Sequence, residues 1–297
     1  MRRLICLFLT IHFSLSCAHL NASPVKNTIY TGEQNAEISL DEMINSLPDK
    51  GVIVFGEIHN LNTHHEKHLL FLKRLHELKA KRIHVALEFL SYPDQKFVDD
   101  YLKGELSDQD FQTATGFGSD FPSYKPKILF PLTTGGQSFA INAPRSLSRQ
   151  LARVGLEGLS EEEEKLLPPD FTLGNEEYYA RFLEVMTGGS HPLPPAALER
   201  YFQAQSLWDD TMAWKVSEWQ SKYPNDLIVI IVGDFHASYE SGLPERLRAR
   251  GVNDITTISQ VQFFGLNTQQ RTELLSPNGP YGVRADYIWT SSERVSP

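Results

Sequence analysis

Two stretches of this chain, residues 51–60 (GVIVFGEIHN) and 227–237 (LIVIIVGDFHA), drive an unbroken apolar run into the pattern Gly-acid-x-His. Five or six apolar residues without alternation must be covered on both faces. That is the environment of a strand inside a parallel sheet. Parallel strands need crossover connections, and helical patterns supply them. Residues 39–47 open with the capping box Ser39/Glu42, and 64–81 carry Leu69, Leu72, Leu75 and Leu78 on one side, with Thr63 and Glu66 as a second capping box. Further strands are expected at 83–89, 139–142 and 254–258, with an edge strand at 286–289. Further helices are expected at 93–103, 146–154, 161–167, 175–186, 196–222 and 244–250, with the breaker PLPP at 192–195. Residues 115–134, rich in Gly, Pro and aromatics, read as a long loop with a short strand at 128–130. The expected fold is α/β: a mostly parallel sheet flanked by helices, with a helical insertion or lid.

A net charge of -9 argues against a nucleic-acid partner, because phosphate binding needs clustered Lys and Arg and none is evident. The first residues, MRRLICLFLTIHFSLSC, follow the order of an export signal: two arginines, an apolar run too short to span a bilayer, then small residues. Cys6 lies inside that segment, so Cys17 would stand alone in the mature chain and no intramolecular disulfide can form. SLSC is either an ordinary cleavage site or a lipobox that makes Cys17 the lipidated first residue. The expected organisation is a signal at 1–17, a polar tether at 18–27 and one domain at 28–297. The protein is expected to be exported, as a bacterial outer-membrane lipoprotein or in the periplasm.

Ligands of open parallel sheets bind outside the carboxyl ends of the strands. The residues at those ends are Glu57 and His59, then Glu88, then Asn142 and Arg145, then Asp234 and His236. If the strands are neighbours, one crevice collects carboxylates, imidazoles and a guanidinium, and Gly56 and Gly233 let the backbone bend there. The bland alternative leaves His59 and His236 as satisfied histidines at strand ends. His64 and His68 share a helix face at i, i+4 spacing, as metal-binding pairs do, with His64 the better placed to face the crevice. Gln205, Trp208 and Asp209 or Met212 repeat at helical spacing, either facing the site or as part of a packing helix with Asp209 and Asp210 exposed. There is no P-loop, GxGxxG, GxSxG, HExxH or CxxCH. A His/carboxylate crevice without a nucleophile suits metal binding, metal-assisted or general-base hydrolysis, or ligation of an iron cofactor.

GEIHN, the histidines at 64 and 65, ALEFLSYPDQ, NAPRSLSRQLARVG, QSLWDDTMA, GDFHASYESGLPERL and ADYIW occur in an order that resembles the ChaN family of iron-regulated, haem-binding bacterial lipoproteins. That family is similar to the wider superfamily of TIKI, TraB and erythromycin-esterase proteins. The resemblance implies an outer-membrane-anchored protein of haem uptake that binds haem non-covalently, pairs through its haem sites as a homodimer and works beside an outer-membrane haem receptor. The superfamily's paired GxxH motifs and strand-end glutamate match Gly56/His59, Gly233/His236 and Glu88. In hydrolytic relatives such positions serve metal binding or general-base catalysis. Two departures are Asn60, where relatives often carry Asp, and the lipobox leucine, which sits one place late. The family's haem iron is bound through tyrosine and histidine. Tyr239 is the tyrosine reachable by position, with Tyr124, Tyr178, Tyr179 and Tyr201 as others.

Two functional expectations follow. One is a haem-binding, membrane-tethered protein of iron acquisition whose cofactor contacts are His59, His64, His236, Tyr239 and Arg145. The other is an exported hydrolase with a divalent metal on His59, His236, Glu57 and Glu88, in which Glu57 and Glu88 are the catalytic carboxylates. A third possibility is a structural surface lipoprotein whose crevice is vestigial.

Overall fold

The computed structural model describes residues 28–188 and 193–292. The export signal, Cys17, the tether and part of the PLPP breaker lie outside the described residues. A short hairpin arm, β1 (Ile29–Thr31) and β2 (Glu37–Ile38), leads into α1 (Leu40–Ser46). Then come β3 (Gly51–Glu57), α2 (Asn62–Lys79), β4 (Ile83–Ser91), α3 (Gln95–Leu102), α4 (Asp108–Thr115), α5 (Phe121–Leu129) and β5 (Ser138–Asn142). The expected helical insertion follows as α6 (Arg145–Val154), α7 (Glu161–Glu164), α8 (Glu176–Thr187) and α9 (Pro195–Lys222). The chain returns through β6 (Leu227–Gly233), α10 (Asp234–Ala237), α11 (Leu243–Ala249), β7 (Ile255–Gln262), α12 (Thr268–Leu275) and β8 (Tyr287–Ser291).

The strands form one eight-stranded sheet in the order β2-β1-β8-β7-β3-β6-β4-β5. It is parallel from β8 to β5 and antiparallel within the hairpin arm and where that arm joins β8. Every residue of β3 and β6 is buried. Alternation sorts them onto two faces, because successive side chains of a strand point oppositely. Ile53, Phe55, Val229 and Ile231 join Phe71, Leu72 and Leu75 of α2 on one face. Val52, Val54, Ile228, Ile230 and Val232 join Met212, Ala213 and Val216 of α9 on the other, with Leu243 and Leu247 of α11. Helices on both faces of a parallel sheet are therefore a direct consequence of the two uninterrupted apolar runs.

Three expectations are corrected. Residues 121–129 form a helix rather than a loop or a strand. Phe121, Tyr124 and Ile128 recur at three- and four-residue spacing on a buried face, and Pro122 occupies the first turn, where its missing N–H costs nothing. The α1 capping box at Ser39/Glu42 is present, but that of α2 is not: α2 begins at Asn62 behind Leu61, and Thr63 is buried within its first turn. β8 is internal rather than an edge, since β1 pairs along its outer side.

Ile230 of β6 is fully buried beneath α9. Ile230→Ala is expected to lower unfolding stability by about 2–5 kcal/mol, measured by urea denaturation. A loss under about 0.5 kcal/mol, the range of ordinary surface changes, would contradict its central position.

Candidate functional site

β3, β6 and β4 are adjacent, and their registers fix what meets at the carboxyl edge. Glu57 pairs with Gly233 and Phe55 with Ile231, while Leu87 of β4 also pairs with Ile231. Glu57 and His59, Gly233 and His236, and Glu88 thus leave three neighbouring strands at one level. The glycines serve space rather than conformation, and neither has a positive φ. A Cβ on Gly56 would lie 2.5 Å from Asp234 Oδ1, and one on Gly233 would lie 2.9 Å from the His59 ring.

Each motif histidine is held by a carboxylate through Nδ1. Glu57 Oε1 lies 3.1 Å from His59 Nδ1, and Asp209 Oδ1 of α9 lies 2.7 Å from His236 Nδ1. Between the two rings stands Glu88, whose Oε1 is 3.5 Å from His236 Nε2 and whose Oε2 accepts from Gly233 N at 2.6 Å. Burial opposes the charge of His236, but Asp209 and Glu88 outweigh it and raise its pKa to about 10. Burial likewise works against protonating His59, and its bond to Glu57 with the charge of Glu88 prevails, so its pKa is raised. The two rings differ in access. The His59 side chain is 39% exposed and that of His236 only 6%. Tyr178 donates to Asp209 Oδ2 at 2.5 Å and fixes that carboxylate from behind.

Glu57 turns inward, under the cleft floor. Its Oε1 also accepts from Tyr124 of α5, and its Oε2 faces His68 Nδ1 at 3.1 Å and His65 Nδ1 at 3.4 Å, both on α2. Burial would raise its pKa, but the bonds from His59, His65 and His68 outweigh it and hold the carboxyl well below the usual range. Among the described residues, Glu57, His65 and His68 are the group whose donor atoms converge, all within 4.8 Å of one another. Carboxylate and imidazole donors of this kind can hold a metal ion. They already have a cation beside them. Lys127 is fully buried, its Nζ 2.7 Å from His65 Nδ1 and 4.1 Å from the centre of the Tyr124 ring. Burial lowers the Lys127 pKa to about 8 against the pull of Glu57.

The structure therefore redistributes the expected residues. His59, His236, Glu57 and Glu88 do come together, but not as one converging metal set. Glu57 faces away beneath the floor, and a protonated His236 donates hydrogen bonds rather than a lone pair. His64, expected to face the crevice, is fully buried and accepts from Ile58 N at 3.0 Å, whereas His65 and His68 meet Glu57. The pKa of His64 is lowered to about 3, chiefly by burial. Asp234 is tied to Arg284 and to Ser259 Oγ, although it borders the cleft, and Asn142 caps Ala143 N. Tyr239 lies away from the cleft, its hydroxyl 3.0 Å from Arg284 Nη1 and its ring 4.8 Å from the Arg181 guanidinium. Of the other tyrosines, Tyr124 and Tyr178 are buried on Glu57 and Asp209, and Tyr179 packs on Phe202. Tyr201 is 40% exposed and lines a groove beside the cleft. Asp209 and Asp210, expected exposed if α9 were a packing helix, are both buried, the latter paired with Arg250. Gln205 and Trp208 face the site, and Met212 lies in the core.

The cleft holding His59, Glu88 and His236 encloses about 440 Å³, and Phe182, Met186, Gln205 and Trp208 are shared with an adjoining groove of about 620 Å³. Arg145 lies in that groove rather than among the carboxylates. The two make one trough, polar at the strand ends and apolar beyond. No helix of the described residues is long and apolar enough to cross a membrane.

The sequence model of the family described as haem-binding uptake, Tiki superfamily, ChaN matches residues 43–247, more than half of the chain. The chain belongs to this family. Its fold is that of ChaN of Campylobacter jejuni, a structure described as cofacial haem binding to that protein. The TM-score is 0.65 at 16% identity, over 91% of this chain and 98% of the other. An erythromycin esterase in its open conformation aligns over 89% of this chain and 83% of its own, at 12% identity and a TM-score of 0.47, too low to carry an argument. Protein RETICULATA-RELATED 5, chloroplastic, of Arabidopsis thaliana is 23% identical over 263 residues, or 82% of this chain. This ChaN-family chain spans 34% of that relative's length.

A histidine whose pKa is raised by folding stabilises the fold fully below its unfolded value of about 6.5. For His236 that contribution is lost as pH rises toward about 10. In nitrogen-15 NMR of the ring, wild-type His236 is expected to stay protonated at pH 8, and Asp209→Asn to bring its pKa down by about 1–3. A neutral His236 in the wild type at pH 7 would contradict the Asp209–His236–Glu88 arrangement.

Proposed function

We propose that this chain binds haem non-covalently in the trough and serves haem or iron uptake at the bacterial envelope. In this reading it is exported by its N-terminal segment, tethered to the outer membrane through Cys17, and hands haem to or from an outer-membrane receptor. Pairing of two copies through their haem sites belongs to the same reading. The observation that carries it is His59 at the head of an apolar trough. Glu57 holds Nδ1, and Nε2 has no hydrogen-bond partner among the described residues. A carboxylate behind a histidine fixes its tautomer and strengthens it as a ligand. Ile58, Val185, Phe182, Met186 and Trp208 line the trough beside it, with Ile58 44% and Val185 65% exposed, apolar surface that a flat porphyrin would cover. Haem would supply the iron; the chain supplies the imidazole, the apolar walls and the carboxylate behind the ligand. Titration of the purified protein with haemin is expected to give a saturable Soret shift. His59→Ala should weaken it by at least about tenfold and Glu88→Gln by less than that. A wild type without a saturable shift would refute the reading.

A second reading, hydrolysis, is favoured by Glu88 standing between two carboxylate-held imidazoles. Glu88 would act as base toward water and the protonated His236 as hydrogen-bond donor to the developing oxyanion. Its mark is hydrolysis of an activated ester that Glu88→Gln abolishes while haemin binding persists.

A further inference from the structure

The trough uses only one oxygen of Glu57. Oε1 meets His59 Nδ1 and the Tyr124 hydroxyl, while Oε2 points under the floor toward His65 and His68, one helical turn apart on α2. Water does not serve this pair of atoms: Glu57 is 2% exposed and His68 0%. Oε2 stands 3.1 Å from His68 Nδ1, but out of line for a well-formed hydrogen bond, and neither atom has another hydrogen-bond partner among the described residues. His65 Nδ1 lies 3.4 Å from the same oxygen. In neutral His65 the hydrogen sits on Nε2, 2.7 Å from His59 O, and Nδ1 presents a lone pair, which accepts from Lys127 Nζ at 2.7 Å. Acceptor therefore faces acceptor across a dry gap, an arrangement that costs free energy unless a cation lies between. Lys127 serves His65 but makes no hydrogen bond to Oε2 or to His68 Nδ1.

We propose that Glu57 Oε2, His65 Nδ1 and His68 Nδ1 bind one divalent transition-metal ion, zinc by preference, beneath the trough and separate from it. Two imidazoles and a carboxylate are donors that suit zinc. Bonds of about 2.0–2.2 Å at tetrahedral angles put donor atoms about 3.3–3.6 Å apart, close to the 3.1 and 3.4 Å found from Oε2. The groups behind the donors are in place, as a metal site requires. Tyr124 and His59 hold Oε1, and His59 O holds His65. The Gln260 amide is 3.0 Å from His68 Nε2, and its Oε1 has no partner. Turning that amide sets Oε1 against Nε2–H and leaves Nδ1 a lone pair. Edge contacts fix both rings, His68 on Phe55 at 4.4 Å and His65 on Tyr124 at 4.9 Å between centres. A cavity of about 230 Å³ between α2 and α5, lined by Asn62, His65, Glu66, Pro122, Ser123 and Lys127, gives a route in that does not cross the trough. The fourth coordination position faces this cavity, toward which the Lys127 ammonium withdraws as the ion takes over His65 Nδ1. The ion ties the start of α2 to the end of β3 and fixes the carboxylate that stands behind His59.

The test titrates zinc chloride into the haem-free protein, carrying no histidine tag and stripped with EDTA, against a chromophoric chelator. Wild type is expected to take up one equivalent with a Kd below about 1 μM, and saturating zinc to raise its Tm by at least about 3 °C. His65→Gln and His68→Gln should each weaken binding by at least about tenfold, and Glu88→Gln, in the trough, by less than about threefold. No stoichiometric uptake, binding that survives both histidine substitutions, or binding lost in Glu88→Gln overturns the site. Circular dichroism checks that the variants fold. Should they not, anomalous scattering at the zinc edge in wild-type crystals decides. A peak about 2.0–2.2 Å from Glu57 Oε2, His65 Nδ1 and His68 Nδ1 supports the site, and a peak among His59, Glu88 and His236 overturns it.

Discussion

The parallel pairing of β3 with β6 is the constraint on which the site depends. Register places Glu57 opposite Gly233, so the two Gly-acid-x-His turns leave the sheet side by side, with Glu88 of β4 one strand further along. A slip of one residue would exchange the two faces of a fully buried strand, which the cores on both sides forbid. Hydrophobic packing of β3 and β6 therefore positions polar chemistry that contributes little to the packing itself. The missing Cβ atoms of Gly56 and Gly233 then let Asp234 and the His59 ring approach the strand ends.

The two motifs look alike in sequence but have diverged in role. In the first, the acid turns inward to meet Tyr124, His65 and His68, with Lys127 nearby, and its histidine remains accessible. In the second, the acid is neutralised by Arg284, and the histidine is enclosed between Asp209 and Glu88. One ring is thus open to a ligand, and the other is enclosed with its charge held by two carboxylates. The asymmetry is what the proposed haem reading draws on, since it leaves one imidazole accessible and the other enclosed.

The α/β fold, the helical insertion and the meeting of His59, Glu88 and His236 were legible in the sequence, because uninterrupted apolar strands followed by amphipathic helices admit few other arrangements. The partners behind the histidines were not. Asp209 sits in a helix whose composition reads equally as solvated, and its role depends on the meeting of α9 with His236 of α10, distant in sequence. Tyr124 and Lys127 fell in a stretch whose prolines suggest a loop, although Phe121, Tyr124 and Ile128 carry helical spacing. The i, i+4 spacing puts His64 and His68 on one face, but α2 starts at Asn62 without the expected cap, and which histidine faces Glu57 depends on how that first turn packs. Tyr239 follows His236 closely in sequence, yet a positive-φ turn at Tyr239 and Glu240 carries its ring to Arg284 and Arg181. Sequence proximity does not survive such a turn.

The central claim is that the trough receives haem with its iron at His59. The most direct measurement is the anomalous scattering of iron in crystals of the haemin-loaded protein. The account predicts one iron peak within coordination distance of His59 Nε2, with the porphyrin lying along Phe182, Met186 and Trp208. An iron peak at Tyr239, at the Glu57–His65–His68 cluster or outside the trough would contradict it.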